Sequence, residues 1–545
     1  MERNWHKIYG NRVPKEIDCG RYTSVAHLFQ ESVVRFADQP AFVGQGGELS
    51  YQDIERLSRQ FAAYLQSELG IVKGDRVALM APNILAFPVA MFGVMLSGAV
   101  QVNVNPLYSP AELAHQLLDA QVDTVIVFAG AVPTLAEAMK TAPVRQVIVV
   151  QLDDMAPTPG PSAPIEVSLP QYTRFSTAVE RGAMLAFKPV ELAAHDLIYL
   201  QYTGGTTGIS KGAALSHGNL IANILQFKAA TPELFADGRH TVLTALPLYH
   251  IFALMVNCLS MFSEGAKNVL VANPRDLDGL VASFEEHRVT FITGVNTLYA
   301  NLLVHPRFQQ LEFSSLRFAV GGGSAILRAT SDKWRALTGK HIKEGFGMSE
   351  TSPIVTLNPL HLPNFSGTVG VPLPSTDVSL RDEQGNEVAL GVSGELCVRG
   401  PQVMRGYWRR EQDNTAIFWP DGYLRTGDIA VADGDGFIKI VDRLKDMVLV
   451  SGFNVFPNEI EAAVASCPGV LESACIGVQD ERTGEAVRLF IVKEAESSLS
   501  EDQVRAHCRA RLAAYKQPKY VDFVPSLPKS AVGKTLRRLL RTQSE

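Results

Sequence analysis

The chain has 545 residues, 46% of them hydrophobic and 19% charged, with a formal net charge of −6. That length allows two or more domains with large buried cores, and the acidic balance leaves no overall basic footprint, so no nucleic-acid partner is expected. The six cysteines, Cys19, Cys258, Cys397, Cys467, Cys475 and Cys508, form no C-x-x-C pair, which argues against a disulfide scaffold or a cysteine metal site and fits a reducing cytoplasm.

Met1-Glu2-Arg3-Asn4-Trp5-His6 has no signal-peptide core. The longest uncharged apolar stretch, 85–100, is broken by Pro88, Gly93, Ser97 and Gly98. It falls short of a membrane span and reads as a buried helix. Upstream of it, 25–36 has apolar residues at helical spacing, and Ser50-Tyr51 precedes an amphipathic helix through Ile54, Leu57, Phe61 and Leu65. Strands are expected at 77–80, 122–128 and 144–150. Strands alternating with helices predict a largely parallel, helix-covered sheet. Segment 155–170 is rich in Pro, Ser and Ala, lacks periodicity, and reads as a surface loop or linker.

Tyr202-Thr203-Gly204-Gly205-Thr206-Thr207-Gly208-Ile209-Ser210-Lys211-Gly212 follows the apolar run Leu197-Ile198-Tyr199-Leu200 and precedes a predicted helix from about Gly218. It reads as a loop between a strand and a helix. Glycines let the backbone approach an anion, hydroxyls add donors, and Lys211 adds a charge, so the stretch suits phosphate. It is not the common P-loop, because Ser210 precedes Lys211 and Gly212 follows it.

Beyond it, strands are expected at 243–246, 291–293 and 316–320, and a helix at 254–261. The strand at 316–320 ends in Gly321-Gly322-Gly323, which is not a dinucleotide fingerprint because Ile326 stands where a third glycine is needed. After about Thr368, strands at short spacing with turn signals at 382–386 and 433–436 predict a small β-rich subdomain. A charged cluster at 442–446 separates it from an α+β unit with helices at 458–464 and 501–514 and strands at 474–478 and 489–492. From Gln503 onward, ten Lys/Arg face only Asp522 and Glu545. This basic end reads as a lid over a polyanion.

The phosphate loop is followed in order by Leu246-Pro247-Leu248-Tyr249-His250, Glu344-Gly345-Phe346-Gly347-Met348-Ser349-Glu350-Thr351, Gly394-Glu395-Leu396, Arg425-Thr426-Gly427-Asp428, Asp442-Arg443-Leu444-Lys445-Asp446 and Gly533-Lys534. This ordered set resembles the adenylate-forming superfamily of acyl-CoA synthetases, luciferases and amino-acid-activating domains. The segment from Tyr22 to Pro110 also looks like the bacterial long-chain fatty-acid–CoA ligases.

The resemblance implies an α/β fold: a large N-terminal domain (1–441) of several subdomains with helix-covered sheets and a small β-rich subdomain, a hinge (442–446) and a small mobile α+β C-terminal lid (447–545). It implies ATP and CoA as cosubstrates, Mg²⁺, and a fatty acid activated through an acyl-adenylate. It places Thr203, Gly205, Thr206, Thr207, Gly208 and Lys211 on the phosphates. It adds Gly322, Glu344, Gly345, Phe346, Gly347 and Ser349 to the ATP-binding residues, with Phe346 matching an aromatic that stacks on adenine and Gly322 and Gly345 letting backbone approach adenine or the acyl chain. Asp428 matches the ribose ligand, where an ionised carboxylate can accept two hydroxyl hydrogen bonds, and Arg443 lies near ribose and phosphate. Glu350 matches the Mg²⁺ ligand, and Lys534, Glu350 and Thr206 are the candidate catalytic residues. Lys445 matches the hinge, and Ser451, Gly452 and Phe453 the loop brought to CoA.

His250, Phe252, Leu254 and Val295 are the candidate acyl pocket. The family often has Ser or Thr where this chain has Gly204, and some fatty-acyl relatives have a Trp gate where it has Leu254. No aspartate stands near 249–254 to pair a substrate ammonium, which disfavours an amino acid. Medium to long fatty acids are favoured. An acyl-AMP ligase loading a carrier protein and an aryl-acid CoA ligase are the alternatives. The resemblance also allows a homodimer and a cytoplasmic enzyme peripheral to the inner membrane.

Lys534→Ala is expected to slow acyl-adenylate formation by about 100-fold or more while sparing thioester formation from supplied adenylate. Measuring the two half-reactions separately checks this, and equal loss in both removes the assignment.

Overall fold

The computed structural model describes residues 5–44, 46–156, 169, 171–203, 210–236, 239–530, 533 and 535–542. Most of the expected linker at 155–170 therefore lies outside the described residues.

Two sheets dominate. One has seven strands in the order Thr173–Arg174, Gln146–Val150, Thr124–Phe128, Arg76–Met80, Val100–Asn103, Leu197–Thr203 and Lys211–Ser216. All its pairings are parallel except the last. Alternation along a strand sends successive side chains to opposite faces. Here Val77 and Leu79 enter one core, while Ala78 and Met80 enter another with Leu113, Leu117 and Leu135.

The nine-stranded sheet is built around parallel pairing of Thr241–Thr244 with Phe291–Gly294, then Phe318–Gly321, then Ile342–Gly347. Lys267–Leu270 and Pro40–Gly44 extend it in parallel on the other side. Thus the N-terminal segment completes a sheet whose other strands come from the middle of the chain.

Helix Tyr51–Ser67 starts with a capping box: the Ser50 hydroxyl accepts from the Asp53 N–H, and the Asp53 carboxylate accepts from the Ser50 N–H. Its apolar residues Ile54, Phe61 and Leu65 are fully buried. Helix Ala86–Leu96 is buried from Ala86 to Met95, as its uniform hydropathy requires. The element expected at 254–261 is a π-helix, Ala253–Ser260, every residue of which is buried. Among the described residues, no helix is long and apolar enough to cross a membrane.

One local expectation fails. The stretch 202–212 does not join a strand to a helix. Lys211–Ser216 is a strand antiparallel to Leu197–Thr203, with Thr203 opposite Lys211, and helix His217–Ala230 starts only after it. The small residues Gly212, Ala213 and Ala214 pair closely with the neighbouring strand, and Ser216 caps the helix. No helix N-terminus therefore follows the phosphate loop directly.

Beyond residue 370, Asp377–Arg381, Gly394–Arg399, Leu424–Ala432 and Ile438–Arg443 form an antiparallel sheet. The turn signals act through aspartates: Asp382 accepts from the Gln384 and Asn386 N–H groups, and Asp433 from those of Asp435 and Phe437. The last part has its own core, including Val448, Val455, Ile460, Leu489 and Val504. Its sheet holds Phe453–Val455, Val448–Val450, Gly484–Lys493 and Val470–Asp480, with Tyr520–Phe523 against Gly484–Lys493. The helix expected at 501–514 ends at Arg509; beyond it the Arg511 N–H makes a tighter bond to the Cys508 carbonyl three residues back, and Leu512 is buried.

Helices Tyr51–Ser67 and Phe175–Gly182 approach so closely that a Cβ on Gly182 would lie 1.9 Å from the Gln60 carbonyl oxygen. Gly182→Ala must push them apart and is expected to cost about 2 kcal/mol or more. A lowered onset of thermal unfolding, measured against wild type, checks this.

Candidate active site

In parallel sheets, ligands gather at the carboxyl ends of the strands. Here those ends open into one cleft of 3560 Å³, well above the ~300–1,000 Å³ of an ordinary small-molecule pocket. It can hold more than one substrate at once.

At the polar end, Thr203 and Lys211 flank the phosphate loop and line the cleft. Gly205, Thr206, Thr207 and Gly208 lie outside the described residues. Lys211 Nζ is 2.8 Å from Asp413 Oδ1, with both side chains about one-third exposed. A pair that open to solvent is weak, so an arriving phosphate can compete for the lysine. The same ammonium lies 5.5 Å from the centre of the Tyr407 ring.

Tyr407 in turn donates from its hydroxyl to Glu350 Oε1 at 2.6 Å. Glu350 is buried, which pushes its carboxyl pKa up, and the Tyr407 hydrogen bond holds it back. Tyr407 occupies one oxygen of the carboxylate. Magnesium commonly takes one or two protein carboxylates together with substrate phosphates, and Glu350, close to the phosphate loop, fits that donor set. Among the described residues, no group of three or more His, Cys, Asp and Glu gathers as a dedicated metal site.

Glu344 behaves differently. Burial pushes its pKa up to about 8, and Oε1 accepts from the Ile326 N–H at 3.1 Å. Near neutral pH it is a protonated acid that can donate as well as accept. Gly345, Phe346, Gly347 and Ser349 line the cleft beside it. Gly347 is required because a Cβ there would lie 2.1 Å from the Pro353 carbonyl oxygen.

Asp428 and Arg443 are direct partners in the antiparallel register, and Arg443 Nε is 3.2 Å from Asp428 Oδ1. The approach to Asp428 is braced by Glu395, which accepts from Arg425 Nε at 2.9 Å and from the Gly427 N–H at 3.2 Å.

The apolar end begins at Gly322, where an added Cβ would meet the Phe252 ring at 3.1 Å. His250, Phe252 and Val295 line the cleft, as do Ile251 and Val256. Leu254 does not: it is fully buried in the π-helix, and Val256 reaches the cleft instead. The lining continues along helices Asn296–Val304 and Arg328–Thr338 through Ala300, Leu303, Ala336 and Leu337.

The C-terminal segment closes over this cleft. A Cβ on Gly533 would lie 3.0 Å from Thr297 Oγ1 and 3.1 Å from Val295 Cγ2. Lys534 itself lies outside the described residues. Lys445 lines the cleft beside Arg443. Ser451, Gly452 and Phe453 are not brought to it. They form a turn with φ of 50° at Ser451 and 83° at Gly452, and Phe453 is 55% exposed and stacked on Tyr515 at 4.8 Å.

A model of the AMP-binding enzyme family matches residues 29–408, and one of the AMP-binding enzyme C-terminal domain matches 459–534. The chain belongs to the AMP-binding enzyme family. It is 49% identical to the long-chain-fatty-acid–CoA ligase of Yersinia pestis, covering all of this chain and 98% of that one. The long-chain-fatty-acid–CoA ligase of Bacillus subtilis matches at 33% identity, over 100% and 99% of the two chains. Among solved structures, ATP-bound MatB from Rhodopseudomonas palustris superposes with a TM-score of 0.83 at 29% identity, covering 95% of this chain and 98% of that one.

Within this AMP-binding enzyme, sequence reasoning missed Tyr407 and Asp413. Tyr407 is 57 residues from Glu350, and no pattern links them. It also missed Asp119, which accepts from the Tyr202 hydroxyl at 2.6 Å and pairs with Arg410. Asp119 ties the root of the phosphate loop to the segment that carries Tyr407 and Asp413.

Tyr407→Phe removes a donor that favours the ionised form of Glu350 against burial. The Glu350 pKa then rises further, so the active carboxylate is lost at a higher pH. The loss in kcat/KM for ATP is expected to be about 10- to 100-fold near pH 6 and smaller near pH 8.5. A pH profile whose acid limb does not move refutes this role for the hydroxyl.

Proposed function

We propose that the chain is an ATP-dependent fatty-acid–CoA ligase. The fatty carboxylate attacks the α-phosphate of ATP and expels pyrophosphate, and the CoA thiol then displaces AMP from the acyl-adenylate. The observation that carries this reading is one cleft with a polar end at Lys211 and Glu350 and an apolar end at Phe252 and Val295. The end-to-end match to curated ligases of this kind supports it.

The chemistry explains the residue set. A carboxylate is a poor acyl donor because oxide would have to leave, and adenylation replaces oxide with AMP. Transfer at phosphorus needs positioning and charge neutralisation rather than a protein nucleophile. Lys211 leaves Asp413 for the phosphates, Asp428 holds the ribose hydroxyls, and Arg443 orients Asp428. Magnesium on Glu350 would neutralise phosphate charge. Lys534 would add its charge between the carboxylate and the α-phosphate, where negative charge gathers.

The turn at 451–453 stands away from the cleft, so the second half-reaction calls for rotation of the small C-terminal unit about Lys445. That turn withdraws the segment around Lys534 and carries Ser451, Gly452 and Phe453 toward CoA. The apolar lining along 296–304 and 328–338 favours long chains, since each buried CH₂ contributes about 0.8 kcal/mol.

AMP and pyrophosphate release with Mg·ATP, with and without CoA, tests the reading on acetate, octanoate, palmitate, oleate, coumarate and leucine. CoA-dependent AMP release that peaks on palmitate or oleate is expected. A coumarate optimum selects the aryl-acid reading. Acid-dependent pyrophosphate release that free CoA does not stimulate selects carrier loading, and silence on every acid refutes a ligase.

A further inference from the structure

The junction between the large and small units contains a buried charge cluster that the reactions above do not use. Asp442 is the last but one residue of the strand Ile438–Arg443 and pairs with Ile429, so it belongs to the four-stranded sheet of the large unit. Its side chain is fully buried. Burial pushes its pKa up, and Arg537 opposes that shift.

Its oxygens face both ways. Oδ1 accepts from the Arg443 N–H at 2.7 Å, and Oδ2 from the Asn458 N–H at 2.8 Å across the junction. Arg537 Nη1 also comes within 3.6 Å of Oδ1, and Asn458 Nδ2 donates to the Val441 carbonyl at 3.3 Å. Asn458 lies on helix Pro457–Val464, and Arg537 opens the terminal helix Arg537–Thr542.

Arg537 has a second set of partners that never cross the junction. Nη2 donates to both oxygens of Glu461 at 2.9 Å and to Asn458 Oδ1 at 2.6 Å. Asp446 lies 3.4 Å from Nη1 and is also held by Arg541 at 3.0 Å. Arg537 can therefore leave Asp442 and remain compensated. The bonds to Asp442 and Val441 depend on the angle between the units, and those to Glu461 do not. In the arrangement seen here, Gly533 sits against Val295 and Thr297 in the cleft.

We infer that Asp442 is an orientation latch: its carboxylate binds Asn458 and Arg537 across the junction and holds the small unit in the arrangement that sets Gly533 against Val295 and Thr297 in the cleft. It is a positioning residue, acting through Asn458 and Arg537 rather than on substrate. It favours the adenylate-forming arrangement, and it lets go when the small unit turns for thioester formation. The inference rests on the two-step ligase reading with rotation about Lys445.

The test is Asp442→Ala in the full chain, which removes the carboxylate's contacts across the junction and leaves the Asn458–Val441 bond and the Arg537–Glu461 pair intact. Single-turnover pyrophosphate release from ATP and palmitate without CoA is expected to slow by about 10- to 100-fold, the range for losing a charged hydrogen bond. Thioester formation from supplied palmitoyl-adenylate and CoA is expected to be unchanged or faster.

A second measurement reads orientation directly. Cys19 is the exposed native cysteine and the other five are buried, so spin labels at Cys19 and at Ala510→Cys report one distance between the units. Asp442→Ala, or Asp442→Asn if the alanine variant folds poorly, should move population to a second distance. Equal slowing of both half-reactions, or an unslowed first half-reaction with an unchanged distance, overturns the latch. A wild-type protein that forms no acyl-adenylate overturns the ligase reading instead.

Discussion

Parallel hydrogen bonding among Thr241–Thr244, Phe291–Gly294, Phe318–Gly321 and Ile342–Gly347 is the constraint on which the site depends. Strands that run the same way deliver their carboxyl ends to one edge. The segments that follow them, 247–252, 295–297, 322–323 and 348–350, therefore meet although they are far apart in sequence. Reversing any one strand would send its segment to the opposite edge. The close approach of Phe252 to Gly322 is a consequence of this pairing.

Around that edge, burial sorts otherwise similar carboxyl groups into different roles. Glu344 has a backbone N–H as partner and is pushed up to about 8. Glu350 is also pushed up, but the Tyr407 hydroxyl and the Arg443 charge favour its ionised form. Asp428 faces Arg443 directly. An acid pushed toward its neutral form and two carboxylates with hydroxyl or arginine partners can thus share one cleft without accumulating charge that a polyanionic substrate would have to overcome.

Much of the secondary structure was legible because it rests on local rules. Ser50 and Asp53 announce a helix through reciprocal capping, and the uniform hydropathy of 86–96 requires burial on every side. Asp382 and Asp433 shape their turns by accepting neighbouring backbone N–H groups. The strand Lys211–Ser216 was not legible. Gly212-Ala213-Ala214 has no period of its own and becomes a strand only because Leu197–Thr203 lies beside it. Leu254 was misplaced for a similar reason: the π-helical turn decides which of 252–256 face the cleft, and it selects Phe252 and Val256.

The sequence by itself determined the kinds of groups available and their order along the chain: a glycine- and threonine-rich loop with Lys211, then Glu350, Asp428, Arg443 and Lys534. That order carried the family resemblance, and with it the expected chemistry. Only the tertiary structure decided who touches whom: Tyr407 on Glu350, Asp413 on Lys211, Asp119 between Tyr202 and Arg410, and Asp442 against Asn458 and Arg537. The physical reason is that a motif is a run of covalent neighbours, whereas a hydrogen bond or an ion pair needs two groups about 3 Å apart in space. Segments distant in sequence reach that separation only when the sheets have packed and the water between them has gone.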